Sequence, residues 1–111
     1  MAEVTAELLD GIVDAIVREV EPEQIVLFGS WARGDSRPDS DLDLLVIERE
    51  PFGPARSRWA ELKRIRRSIS PFRVAKDILV YSAGEVAAWR KSCGHIVSHA
   101  FREGKVLYER H

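Results

Sequence analysis

The sequence has little cysteine and no long apolar run, and each absence narrows what the protein can be. Cys93 is the single cysteine among 111 residues, so a secreted domain stabilised by internal disulfide bonds is excluded. The longest apolar runs fall far short of the roughly 20 residues that cross a bilayer, and the N-terminus has no signal-peptide pattern. We therefore expect a cytoplasmic protein in which Cys93 packs on a helix as an inert thiol.

Neither sign of charge dominates the whole chain, but its two halves differ strongly. The net charge of −1 combines 13 acidic and 4 basic residues in 1–50 with 13 basic and 5 acidic residues in 51–111. The densest basic run, residues 56–76, could bind an acidic partner, a triphosphate or RNA. A solvated helix face is the favoured interpretation, because no interleaved aromatic residues mark a nucleic-acid groove.

Length and periodicity predict one globular domain over residues 1–111 with both helices and strands. Apolar residues recur at helical spacing in 5–20, and Pro22 should end that helix. The rest of the pattern predicts strands at about 24–28, 41–48 and 73–81. It predicts helices at about 30–33, at about 55–69, from Ser82 onward and at about 95–103. A short strand is expected to close the chain. This alternation predicts an α+β fold, a small mixed β-sheet flanked by helices.

The most informative motif joins a Gly-Ser pair to two aspartates further along the chain. Gly29-Ser30 follows the apolar run 25–28, and Asp41-Leu42-Asp43 opens a second apolar run after ten intervening residues. Side chains two apart in a strand point to the same face, so Asp41 and Asp43 should project together. An isolated Asp-x-Asp pair is usually a solvated strand end. Beside a Gly-Ser turn it is typical of phosphoryl or nucleotidyl transfer, which needs a phosphate cradle and metal-binding carboxylates.

These residues resemble the signature of the nucleotidyltransferase superfamily that includes DNA polymerase beta. The match is closest to its smallest branch, the minimal nucleotidyltransferases of bacteria and archaea. The likeness continues through Arg33-Gly34, Ser40–Leu44 and the ending 102–108, and it covers most of the chain. The resemblance implies the nucleotidyltransferase fold, in agreement with the α+β pattern.

Asp77 is the candidate third carboxylate, because it stands in an apolar strand where an unpaired charge is costly. A salt bridge to the neighbouring Lys76 is disfavoured, since adjacent strand residues point to opposite faces. The resemblance implies that Asp41, Asp43 and Asp77 hold Mg²⁺, with two ions about 3.5–4 Å apart. It also implies that Asp77 activates the acceptor hydroxyl.

The Gly-Ser turn and the arginine after it are the candidate nucleotide contacts. Gly29 lets a phosphate approach the backbone, and Ser30 is expected to cap the short helix while its hydroxyl faces an anion. The resemblance implies that both hold the β and γ phosphates of ATP. Arg33 is equally well read as a triphosphate contact and as a surface residue at a helix end.

Two further groups of residues are weaker candidates. His95 and His99 have a spacing that can bind zinc on a helix, but no third ligand is evident near them. The three tryptophans are expected to serve packing, and the best candidate for stacking on adenine is the one that follows the Gly-Ser turn. These tryptophans are Trp31, Trp59 and Trp89.

We expect a metal-dependent nucleotidyltransferase that moves a nucleoside monophosphate, AMP from ATP, to an acceptor hydroxyl with loss of pyrophosphate. The resemblance implies that the acceptor is a HEPN-family toxin and that this chain is its antitoxin. Two alternatives stay open: a catalytically silent antitoxin or regulatory subunit, and, ranked last, a metal-dependent phosphohydrolase. Nucleic acid is a less favoured partner, a membrane is not expected, and a homo- or hetero-oligomer is compatible with the sequence.

Overall fold

The computed structural model describes residues 4–37, 40–90 and 95–110, so Cys93 and His111 lie outside the described residues. The helices and strands follow one another in the order α1 (Ala6–Val20), β1 (Gln24–Phe28), α2 (Ser30–Arg33), β2 (Leu42–Glu48), α3 (Arg58–Ile69), β3 (Lys76–Ser82), α4 (Ala83–Trp89), α5 (Ile96–Glu103) and β4 (Lys105–Glu109). Among the described helices, none combines the length and the hydropathy that a bilayer-crossing segment needs.

The four strands form one mixed sheet in the order β3-β2-β1-β4. Strand β1 pairs antiparallel with both β2 and β4, whereas β2 and β3 run parallel. Strand β2 is therefore central, as its apolar residues on both faces predicted, and it is buried from Leu44 to Glu48. A mixed sheet flanked by helices confirms the predicted α+β class.

Helices cover both faces of the sheet and divide its core into two layers. One layer packs α1 and α3 against one face, and the other packs α4 and α5 against the opposite face. The alternation of side chains along each strand decides which layer a residue joins. In the α1/α3 layer the buried strand residues are Ile25, Leu27, Leu42, Leu44, Val46, Ile78 and Val80. In the α4/α5 layer they are Val26, Phe28, Leu45 and Ile47.

Capping residues fix several of the helix ends. The Thr5 hydroxyl accepts a hydrogen bond from the Leu8 N–H at 3.1 Å and caps the start of α1. Glu21, in a left-handed conformation, is the C-cap that follows the last helical residue, Val20. Ser82 and Glu85 form the capping box that the sequence predicted for α4. Local side-chain chemistry therefore accounts for these boundaries.

Two elements differ from the predicted bounds. Helix α3 begins at Arg58, three residues later than expected, because Ser57 is its N-cap and accepts from the Ala60 N–H at 3.2 Å. Strand β3 begins at Lys76 rather than near residue 73, since it starts only where pairing with Leu42 of β2 begins. Pairing between strands, rather than composition, sets where β3 starts.

Part of the basic run 56–76 is used inside the protein. Arg58 donates to both carboxylate oxygens of Glu85 and to the Val80 carbonyl, the latter at 2.9 Å. Arg64 donates to Glu19 and Glu61 at 3.2 and 3.1 Å. These arginines join α3 to its neighbours, so this part of the run is paired within the protein rather than forming only the solvated helix face that the sequence favoured.

Candidate functional site

Two of the three predicted carboxylates face each other across neighbouring strands. Asp43 of β2 is the register partner of Asp77 in the parallel strand β3. Both side chains belong to the sheet face covered by α4 and α5, because they alternate in step with Leu45 and Leu79. Asp41 lies just before β2 and is exposed, and Asp77 is also exposed, whereas Asp43 is half-buried.

The charges of these three acids act on one another. Burial raises the pKa of the Asp43 carboxyl above its usual range, and the neighbouring charges of Asp77 and then Asp41 raise it further. The charge of Arg33 acts in the opposite direction and favours ionised Asp43. The structure therefore brings Asp41 and Asp77 close enough to Asp43 to repel its charge, which is the electrostatic setting in which a cation stabilises carboxylates.

The acids are near one another but are not already gathered as a complete ligand set. Within residues 4–37, 40–90 and 95–110, no group of three or more His, Cys, Asp or Glu side chains has metal-binding geometry. Lys76 is not the partner of Asp77, because its Nζ donates to the carbonyls of Phe72 and Val74. This agrees with the expectation that adjacent strand residues point apart.

Gly29 lies directly against Asp43. It adopts φ 75° and ψ −158°, a conformation that is essentially restricted to glycine. A Cβ at this position would lie 2.2 Å from Oδ2 of Asp43. The antiparallel pairing of Phe28 with Asp43 brings the end of β1 to the acid. The Gly-Ser turn thus lies against Asp43, as the spacing of the motif predicted for neighbouring strands.

Ser30 does not have the capping role expected of it. The N-cap of α2 is Gly29, and no side chain caps this helix end. Ser30 is instead the first residue of α2, and its carbonyl accepts from the N–H groups of Gly34 and Asp35 at 3.0 and 3.1 Å. The capping prediction was wrong because α2 begins at Ser30 itself, which leaves the N-cap position to Gly29.

Arg33 is held by two acidic residues, one of which the sequence did not reveal. Its Nε donates to Asp35 and its Nη1 to Glu103, both at 3.2 Å. These hydrogen bonds, with Asp35 contributing most, raise the pKa of the Arg33 guanidinium. Glu103 lies 70 residues away, and no local pattern announces such a pair. It stands before Gly104, where a Cβ would lie 2.7 Å from the Leu27 carbonyl, so α5 ends tightly against β1.

Trp31, Trp89 and His95 are engaged in packing, whereas Trp59 is 58% exposed and His99 is also exposed. Trp31 donates from Nε1 to the Ser40 carbonyl at 3.0 Å and packs on the α1/α3 layer, so its ring is not a free platform for adenine. His95 caps α5, accepts at Nδ1 from the Val97 N–H and stacks on Trp89 at 4.5 Å. The expected packing roles of these two tryptophans therefore agree with their contacts.

Comparison with known families explains why these features occur together. A family model described as polymerase beta, nucleotidyltransferase matches residues 11–111. The chain belongs to the polymerase beta nucleotidyltransferase family. The motif residues 29–30 and 41–43 and the carboxylate at 77 all lie inside the matched range.

Solved structures share the fold of this nucleotidyltransferase-family chain. A Sulfolobus solfataricus protein described as a nucleotidyltransferase is 22% identical, with a TM-score of 0.61 over 94% of this chain and 79% of that one. A toxin–antitoxin structure with AMP-PNP is 18% identical, with a TM-score of 0.60 over 91% and 73%.

A tri-AMPylated Shewanella oneidensis HEPN toxin in complex with an MNT antitoxin gives 14% identity and a TM-score of 0.53, over 94% of this chain and 71% of that one. No curated protein sequence matches significantly. At these identities the structural likeness concerns the fold alone.

Proposed function

We propose that this chain is a Mg²⁺-dependent minimal nucleotidyltransferase that transfers AMP from ATP to a hydroxyl of a partner protein. The observation that carries the proposal is the placement of Asp43, which is flanked by the charges of Asp41 and Asp77 and abuts the Gly29 turn. Carboxylates and an anion-binding turn in direct contact are what nucleotidyl transfer requires, because the triphosphate must be neutralised where its bond breaks.

The donor set fits magnesium. Carboxylate oxygens are the hard ligands that Mg²⁺ prefers, and Asp41, Asp43 and Asp77 would hold it, with two ions in the proposed complex. When bound, the ions neutralise charge on the phosphate oxygens and on the leaving pyrophosphate. Burial, followed by the charges of Asp77 and Asp41, raises the pKa of Asp43, and a bound cation would offset the repulsion that the two charges contribute.

Each remaining site residue has a proposed task in an in-line displacement. Gly29 lets the end of β1 lie against Asp43, and the Ser30 hydroxyl, on the half-buried first residue of α2, would contact the β and γ phosphates. The acceptor oxygen bonds to the α-phosphorus as the bond to pyrophosphate breaks. Asp77, which is exposed at the edge strand, takes the hydroxyl proton.

The proposed acceptor is a HEPN-type toxin, for which this chain would be the antitoxin. Support comes from two structural neighbours, a toxin–antitoxin structure with AMP-PNP and an AMPylated HEPN toxin with its MNT antitoxin. A toxin tyrosine side chain offers a hydroxyl of the kind that this chemistry needs, and a cytoplasmic complex supplies ATP and Mg²⁺.

The proposal is tested by transfer of label from α-labelled ATP. Purified chain is incubated with Mg²⁺ and a co-purified partner, a HEPN protein or lysate proteins, alongside a chelator control and Asp41→Ala/Asp43→Ala. We expect the wild type to label protein and release pyrophosphate when Mg²⁺ is present. The double variant and the chelator control should do neither. If the folded wild type neutralises its partner without labelling it, and the double variant neutralises the partner equally well, the chain is a silent antitoxin. Release of inorganic phosphate would instead indicate a phosphohydrolase.

Opposite effects are expected from the two ends of the Arg33–Glu103 pair. Arg33→Gln should weaken Mg·ATP binding about tenfold, because a charge-assisted phosphate contact is lost. Glu103→Gln should tighten it about two- to fivefold, because an exposed carboxylate no longer competes with phosphate for Arg33. Calorimetric titration with a non-hydrolysable ATP analogue measures both constants. Equal, small changes of the same sign would mean that the pair is purely structural.

A further inference from the structure

A second acidic cluster lies at the far end of β2 from the three aspartates. Glu48, the last residue of β2, is only 3% exposed. Its Oε1 accepts a hydrogen bond from Nη2 of Arg56 at 2.5 Å. Its Oε2 is fully buried and has no hydrogen-bond partner among the described residues. A buried carboxylate oxygen without a hydrogen-bond partner destabilises the folded protein, most of all when the carboxyl group is charged.

Glu61 of α3 shares Nη2 of Arg56 with Glu48, but its surroundings differ from those of Glu48. It is 8% exposed and accepts from Nη2 of Arg56 at 2.9 Å and from Nη1 of Arg64 at 3.1 Å. Two guanidinium groups therefore serve Glu61, whereas one serves Glu48. The carboxyl groups of Glu48 and Glu61 are also within hydrogen-bonding reach of each other.

Two ionised carboxylates only accept hydrogen bonds, so a contact between them needs a proton. We propose that Glu48 and Glu61 share one proton at neutral pH, carried by Glu48, and that this acid–carboxylate pair fastens α3 and the 49–57 connection to the end of β2. The shared proton makes Glu48 a donor to Glu61 and removes the charge beside its Oε2, which lacks a partner within the described part of the chain. It also leaves the ionised Glu61 with both of its arginines.

The electrostatics agree with this division of roles. Burial, followed by the hydrogen bond and the charge of Glu61, raises the pKa of Glu48 to about 8. Burial also acts to raise the pKa of Glu61, but the hydrogen bond from Glu48 and the charges of Arg64 and Arg56 leave it lowered. The more deeply buried acid with fewer arginines is thus the one that keeps the proton.

A cavity of about 520 Å³ opens beside the pair and gives solvent a route to it. The charged groups around the pair come from each neighbouring element. The charged residues that line the cavity beside the pair include Glu21, Arg49, Glu50 and Arg110. Glu19 of α1 accepts a hydrogen bond from Arg64. On the β3 side, the register partner of Glu48 is the uncharged Ser82. When the proton is lost, two adjacent buried carboxylates share Arg56, which also pairs with the exposed Glu50 at 3.8 Å, and we expect the attachment of α3 to weaken.

The sign of the pH effect follows from the raised pKa of Glu48. Its stabilising contribution is complete below the unfolded pKa of 4.5 and is lost as the pH rises through about 8. Between these two pKa values the folded protein holds one more proton, on Glu48, than the unfolded chain. The unfolding equilibrium constant should therefore rise by at most about tenfold per pH unit in that range. The loss should level off at higher pH, where the pair is already deprotonated.

Urea unfolding of the wild type, Glu48→Gln and Glu61→Gln at pH 5 to 9 tests the proposal. Glu48→Gln supplies a neutral donor to Glu61 at every pH. Its unfolding equilibrium constant should therefore rise much less between pH 5 and 9 than that of the wild type. Glu61→Gln retains an ionisable Glu48 beside Arg56 but removes the neighbouring negative charge. The pH at which the variant loses stability should therefore be lower than in the wild type. Any slope due to Asp43 is common to all three proteins and cancels in the comparison.

A direct titration keeps the proposal falsifiable if a variant fails to fold. The ¹³C carboxyl shift of Glu48 in the wild type should titrate above pH 7, with Glu61 ionised throughout that range. A Glu48 carboxyl that titrates near its unfolded pKa of 4.5 would overturn the shared proton, as would equal pH slopes for the wild type and Glu48→Gln. Neither experiment depends on nucleotidyl transfer.

Discussion

Asp43→Asn is expected to lower AMP transfer by at least about 100-fold while leaving the free energy of unfolding unchanged or higher. The activity should fall because Asp43 is the acid that lies between Asp41 and Asp77 and against the Gly29 turn. The stability should not fall, because asparagine has the same shape and removes a charge that its neighbours repel. Label transfer and urea unfolding, measured on one preparation, give both quantities.

The matched control for this variant is Asp14→Asn, which changes an exposed aspartate on α1, away from the site. It should leave transfer near the wild-type rate. If Asp43→Asn retained transfer, the acid cluster would not be the catalytic site. If it lost transfer only together with its folded structure, the loss would report stability and not chemistry.

Gly29→Ala is expected to damage both stability and activity. The alanine must adopt a conformation that is essentially restricted to glycine, and its Cβ would start 2.2 Å from Oδ2 of Asp43. We expect the free energy of unfolding to fall by about 2 kcal/mol or more, from backbone strain and the forced displacement of Asp43. Transfer should fall about 100-fold or more in whatever protein remains folded, because Asp43 is moved away from its neighbours.

Gly34→Ala separates strain from displacement. Gly34 also has a positive φ, 83°, but a Cβ there meets no atom within 4 Å. Its cost should be the left-handed backbone alone, about 1 kcal/mol, with transfer close to that of the wild type. Equal effects of the two substitutions on transfer would show that contact between Gly29 and Asp43 is unimportant. Denaturant unfolding followed by label transfer distinguishes these results.

Local patterns were sufficient to predict the frame of the site. Strand β2 is apolar on both faces after Asp43, which marks a central strand, and the Gly29-Ser30 pair marks the turn beside it. Caps such as Ser82 with Glu85 are chemical signals within one turn of helix, and they could be read directly. The fold class follows from such short-range information, whereas the proximity of the turn to Asp43 was predicted only if the two strands are neighbours, a condition that the pairing of β1 with β2 meets.

Contacts between distant residues could not be predicted in the same way. The Arg33–Glu103 pair and the Glu48–Glu61 pair depend on how helices settle on the sheet, which no short segment specifies. Ser30 was assigned the cap because serine is a common N-cap residue. The tertiary contact of Gly29 with Asp43 fixes a backbone conformation that gives this position to glycine instead. The roles of Asp41, Asp43, Asp77 and Arg33 in transfer stay predictions for the experiments above.

The position of Arg58 has a consequence for how the folded chain meets other chains. Strand β3 forms one border of the sheet, and the guanidinium of Arg58 occupies the Val80 carbonyl while lying over the rings of Phe52 and Tyr81. A border strand with free backbone groups is a template for intermolecular strand addition and aggregation. By occupying a carbonyl of β3 and placing a cation there, Arg58 discourages sheet growth past this border, in either a complex or a fibril.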